Sequence, residues 1–241
     1  MSTGDPDSKS PFARRGFITA AIVVGVIVAL GIFVLVMNLV SPPAQAPQLD
    51  PTTPPPPTTS AADASVCGLE AFETESSLNQ APDVEWELVG TVAVPIDPAV
   101  GPGVIDDDGF RSCYAHTAEG ALFATVNYFA LSSDARTLPR ISELLEPGPG
   151  KDAAEEAATS EPTANTRLQV AGFKVNSYTP EEAVIDVAWS VTTSGGQLVS
   201  LPIVMRWIDG DWKVALTDTG EFPFTSAPLD NLGGYIPWAG V

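Results

Sequence analysis

The chain has 241 residues and a formal net charge of −19, from 11 basic and 30 acidic side chains with a single histidine. Such acidity repels phosphate backbones and anionic headgroups, which argues against nucleic acid and against adsorption on a membrane surface. One histidine and two cysteines leave too few ligands for a zinc centre, and no metal or other cofactor is expected.

Residues 1–16, carrying Lys9, Arg14 and Arg15, are expected to be a cytoplasmic leader. Residues 17–40 (FITAAIVVGVIVALGIFVLVMNLV) hold no charge, and a helix of that length runs roughly 36 Å, enough to cross a bilayer. Basic residues at its near edge hold the N-terminus in the cytoplasm, so residues 41–241 are expected outside the cell membrane on a single-pass anchor. A cleaved secretory signal competes with this reading, because Ala44-Gln45-Ala46 has the small-x-small form of a cleavage site. The apolar run is longer than a signal core, however, and Pro47 would follow the cut. The part outside carries eight basic and twenty-eight acidic side chains, an acidity that serves solubility.

Residues 41–66 contain eight prolines and few apolar side chains, too few to fold. They read as an extended, semi-rigid stalk reaching up to ~80 Å. The remaining residues, 67–241, suit one extracytoplasmic domain. Both cysteines, Cys67 and Cys113, fall in it. An even count in an oxidising compartment favours a disulfide over two free buried thiols or a metal pair.

Within the domain, residues 84–94 alternate loosely and read as a strand, followed by a loop over 95–109. Thr117 is a sound N-cap for a helix that starts with Glu119 in its first turn and continues apolar nearly all round, so it is expected to be buried. A second helix is expected over 138–145, ended by Pro147-Gly148-Pro149-Gly150, with a short exposed helical turn over 151–158.

From Arg167 the period changes to two. Residues 167–178, 182–193, 198–208 and 212–217 read as four strands of an antiparallel meander. Asp209-Gly210 is a two-residue hairpin turn that sets Trp207 opposite Trp212 and Met205 opposite Val214. Pairing Ser194 with Leu198 keeps the apolar rows on one face, places Trp189 opposite Ile203, and puts Asp186 opposite Arg206 as an outer-face ion pair. Gly172 interrupts the alternation and predicts a bulge. The tail from Gly220, with Phe222, Phe224, Tyr235 and Trp238, is expected to fold back over the domain. The fold class is therefore α+β, with helices packed on one face of an antiparallel meander sheet.

Catalytic patterns are sparse. His116 has no recognisable triad or metal spacing around it and reads as a polar residue closing the loop before the helix. No nucleophile elbow or phosphate loop occurs. Asp106-Asp107-Asp108-Gly109 resembles a calcium loop but lacks its flanking acids, since Val104 and Ala115 stand where acidic ligands are needed. Asn127 and Tyr128 are polar residues in an apolar helix and, with His116, are the candidates to line a cavity.

The order of stalk, early strand, buried helix, second helix and meander ending in Asp209-Gly210-Asp211-Trp212-Lys213 resembles the nuclear transport factor 2-like cone. That fold serves ketosteroid isomerases and noncatalytic ectodomains of conjugation and type IV secretion scaffolds. Separately, Cys67-Gly68-Leu69, Trp86-Glu87-Leu88-Val89-Gly90, Gly101-Pro102-Gly103 and Cys113-Tyr114-Ala115-His116-Thr117 leading into Gly120-Ala121 resemble an actinobacterial family of single-span extracytoplasmic proteins. The resemblance implies a disulfide between Cys67 and Cys113 and carries over no catalytic residue. The expected function is noncatalytic: a membrane-anchored domain making protein–protein contacts in a cell-envelope assembly such as conjugative transfer. The alternative is small-molecule binding, or an isomerase or hydrolase activity, in the cone cavity.

Overall fold

The computed structural model describes residues 64–158 and 167–239. The expected span over 17–40, the leader and residues 41–63 of the stalk lie outside the described residues. Among those described, no helix is long and apolar enough to cross a membrane.

The described chain is α+β. In order it forms β1 (Glu85–Val89), β2 (Val92–Ile96), β3 (Val104–Ile105), β4 (Arg111–Ser112), α1 (Ala118–Ser132), a 3-10 helix (Leu138–Leu144) and α2 (Pro149–Ala157). There follow β5 (Leu168–Tyr178), β6 (Glu182–Val191), β7 (Gln197–Ile208), β8 (Asp211–Val214), β9 (Ala227–Leu229) and β10 (Ile236–Pro237). The main sheet has six strands in the order β10-β5-β6-β7-β8, with β9 also on β7; β1 with β2 and β3 with β4 make two small hairpins.

Helix α1 begins as its residues dictate: the Thr117 hydroxyl accepts the Gly120 N–H at 3.0 Å. Eleven of its fifteen residues are buried, because it packs against β2, the 3-10 helix and strands β5 to β8 together. A helix with neighbours on so many sides can be apolar all round. The core joins Leu122, Phe123, Val126 and Leu131 of α1 to Ile185, Val187, Trp189, Ile203 and Met205 of the sheet.

Three expectations need correction. Residues 84–94 are two strands of a hairpin rather than one strand, because Gly90, at a φ of 58°, opens a two-residue turn that closes Val89 on Val92. The β6–β7 register is offset by four residues: Trp189 faces Val199, Ile185 faces Ile203, and Val191 faces Gln197. A 3-10 turn at Thr192–Ser194 followed by Gly195 and Gly196, both at positive φ, makes a longer connection than the expected one. The offset is even, so the apolar rows keep their face. The expected Asp186–Arg206 pair is lost with it. Arg206 instead faces Glu182 and bonds it at 3.0 Å, with Glu146 at 3.5 Å.

Asp186 is buried, not an outer-face surface group. The tail runs from β9, on the edge of β7, to β10, on the edge of β5, and places Tyr235 over β6. Asp186 accepts hydrogen bonds from the Tyr235 and Ser200 hydroxyls, each at 2.8 Å, and has Lys174 Nζ at 3.3 Å. Beyond β10 the Trp238 ring lies 4.7 Å from that of Trp86 and 5.5 Å from that of Phe173. The tail is therefore part of the fold. Asp209-Gly210 turns β7 into β8 in the expected register, and the pairing of β5 with β6 shifts at Gly172 as the broken alternation predicts.

Cys67 and Cys113 form a disulfide. It lies so close to the Gly101–Gly103 loop that a Cβ on Gly103 would stand 2.3 Å from the Cys67 sulfur. That close approach gives the glycine a packing role.

Candidate functional site: an apolar groove

The Pro147-Gly148-Pro149-Gly150 run both ends the 3-10 helix and starts α2, with Pro149 in the first turn, where its missing N–H loses no helical bond. Gly150 then lets α2 sit directly on the loop after β8: a Cβ there would lie 2.4 Å from the Thr217 carbonyl oxygen. Gly220, at a φ of 80°, meets the Ala153–Ala154 backbone in the same way. The loop closes on itself, since Thr217 donates its N–H to the Glu221 carbonyl at 2.9 Å and its hydroxyl accepts the Glu221 N–H at 3.3 Å.

Between this α2–loop wall and the 3-10 helix opens a groove of about 740 Å³. Leu138, Ile141, Leu145, Leu216 and Phe222 supply its apolar surface, with Tyr128 contributed by α1. Phe222 continues inward through Phe129 to Trp189, at ring separations of 6.1 and 5.1 Å, so the groove is backed by the core. Its polar side chains are Ser142, Glu155 and Glu221. Burial pushes the Tyr128 phenol up to about 12, so it stays a neutral donor and acceptor throughout the physiological range.

Of the three sequence candidates for a cavity, only Tyr128 reaches this groove. Asn127 is fully buried and donates from Nδ2 to the Phe123 carbonyl at 3.0 Å, a bond along its own helix. His116 is buried elsewhere. Its ring stacks on Trp207 with centroids 3.8 Å apart, and Nε2–H donates to the Pro180 carbonyl at 2.6 Å. The acidic turn is a structural clamp: Arg140 bonds Asp106 at 2.7 Å and Asp108 at 3.1 Å, and its guanidinium lies over the Phe110 ring. The Phe110 backbone N–H, and then Arg140, hold the Asp108 carboxyl below its ordinary range. Among the described residues no three His, Cys, Asp or Glu side chains gather as metal ligands do.

The groove escaped sequence reading because its residues come from four separate segments, each apolar for an unremarkable reason. Glu155 and Glu221 look like ordinary surface acids until α2 and the loop are brought together. Another residue missed was Asp211, which sits as the last member of a turn motif but is buried, with its carboxylate on the backbone of the disulfide loop.

The sequence matches, over residues 46–237, the family described as a domain of unknown function, DUF8175, and the chain belongs to that family. No curated protein and no solved structure matches it.

Proposed function

We propose that this DUF8175 chain is a noncatalytic, membrane-anchored extracytoplasmic domain that acts through protein–protein contacts in a cell-envelope assembly, conjugative transfer machinery being one that fits. The observation that carries the reading is the groove, a concave surface lined mainly by apolar side chains. The charge-free run over 17–40, the basic residues before it and the proline-rich stalk support the anchor and the extracytoplasmic placement. An antiparallel sheet carrying α1 on one face supports the finer fold reading of a nuclear transport factor 2-like cone.

The test is in-cell photo-crosslinking of the full-length, membrane-inserted protein, with the crosslinking side chain placed at Ser142 in the groove or at exposed Leu88 on β1. Adducts to envelope components from Ser142 and not from Leu88 are expected. A clean monomer at both positions overturns the reading. The groove's volume falls in the range of small-molecule sites, so a ligand held beside the Tyr128 hydroxyl is the second reading. It calls for ligand-induced stabilisation with no protein adduct.

A further inference from the structure

We infer that the segment received by the groove is cationic as well as apolar: it inserts aliphatic or aromatic side chains and carries lysine or arginine beside them. The inference rests on the groove being the contact surface. Among the described residues the charged side chains that line it are Glu155 and Glu221, and no basic side chain does. Both belong to the wall made by α2 and the loop after β8, whereas the facing 3-10 helix contributes Leu138, Pro139, Ile141 and Ser142. The groove therefore has one apolar wall and one wall with an acidic rim, an asymmetry that orients a partner as well as attracting it.

The basic residue nearest in sequence on that wall, Lys151, is only loosely held by Glu155 at 3.8 Å, on an exposed helix surface. Glu221 is presented from a backbone pinned at both its N–H and its carbonyl by Thr217, and its exposed carboxylate accepts the Thr219 hydroxyl at 3.4 Å. A neutral apolar segment would draw water away from both carboxylates without replacing it, and an acidic one would add repulsion. The strongly acidic chain extends the same preference to longer range and makes it salt-dependent.

The experiment uses the full-length protein in phosphatidylcholine nanodiscs, with empty nanodiscs as the blank. Fluorescence anisotropy reads the binding of three labelled peptides that share a leucine- and phenylalanine-rich core and are flanked by lysine, glutamine or glutamate. The lysine-flanked peptide is expected to bind about fivefold more tightly than the glutamine-flanked one at low ionic strength, the sum of two exposed ion pairs. Added salt should shrink that gap, and the glutamate-flanked peptide should bind weakest. The double variant E155Q/E221Q should bring the lysine peptide to the glutamine level, and Ile141→Ser should weaken all three. Where Ile141→Ser does not fold, Ser142→Trp fills the groove from a half-buried position and replaces it. Equal binding of the three peptides, weakened by either groove variant, overturns the cationic preference and leaves the groove as a contact surface. A lysine preference that survives E155Q/E221Q overturns the assignment to these two residues. Binding that neither groove variant changes, or no binding at all, overturns both the inference and the reading beneath it.

Discussion

Asp211 accepts the backbone N–H of Cys113 at 3.1 Å, across a sequence separation of 98 residues. Its other oxygen takes the Tyr114 N–H at 3.1 Å and that of Trp212 at 2.9 Å, while the Trp212 indole donates to the Ala115 carbonyl at 2.9 Å. Cys113 adopts a φ of 66°, in the left-handed region; Asp211 satisfies the Cys113 and Tyr114 N–H groups there, and the Gly103 N–H satisfies the Cys113 carbonyl. The β7–β8 hairpin is thereby fastened to the loop that carries the disulfide and leads into α1. Asp211→Asn puts an amide donor where an acceptor oxygen faces N–H groups, and is expected to cost about 1–3 kcal/mol. Urea denaturation measures it; a change below about 0.5 kcal/mol, the level of a neutral surface substitution, would show the contact to be incidental.

The disulfide closes a loop that contains all of β1 to β4 and ends just before α1. Replacing both cysteines by serine should lower stability by roughly 3–4 kcal/mol, the chain-entropy value for a loop of this length. Thermal melts of the wild type with and without a reductant that reaches the bond, compared with the double variant, check the size of the effect. Matching melts for all three would mean that the loop is held by its packing alone.

All four tyrosines are shifted in the same direction. Burial is the first cause in each, with the Asp211 charge adding to it at Tyr114 and the Glu73 and Glu181 charges at Tyr178. A phenol held above its unfolded value, about 10, contributes stability that is complete below that pH and is lost as pH rises toward the folded value. An alkaline absorbance titration of the folded protein should therefore show tyrosinate forming at higher pH than in the chain in concentrated urea, which titrates near 10. A gradual tyrosinate signal centred there, with circular dichroism unchanged, is the contrary result.

Gly150→Ala tests how the groove is built. The added methyl group would meet backbone, the Thr217 carbonyl oxygen, rather than a side chain that can move aside. The expected cost is about 1–3 kcal/mol from overpacking, with α2 displaced from the loop and weaker binding of any groove ligand. Hydrogen exchange localises the effect. Faster exchange confined to α2 and residues 216–222 is expected, and unchanged protection there would show that α2 does not depend on this approach.

The elements legible in the sequence are those whose signals are local and strong. Thr117 with the apolar run after it marks α1, and the period-two rows mark β5 to β8. Asp209-Gly210 also yields the correct β7–β8 pairing, because a two-residue turn leaves one register open. The Gly195-Gly196 connection does not have that property. Its length decides the register, and a 3-10 turn adds residues that no propensity announces. Asp186 shows the same limit from another side: an acid on the solvent face of a meander reads as exposed, and only the returning tail buries it. For the cavity candidates, helical position places Asn127 and Tyr128 side by side in sequence, yet one turns into its own helix and the other toward the groove.

What the sequence determined by itself is a division along the chain: a charge-free apolar run, a proline-rich segment, and a domain of α+β pattern with two cysteines. These follow from composition and periodicity, which act over a few residues. The tertiary structure alone decided that the returning tail buries Asp186 under Tyr235, that Asp211 holds the disulfide loop, and that two unremarkable glutamates line an apolar groove. Each of these joins segments distant in sequence, and burial and electrostatic context are properties of that assembly, which no single segment carries.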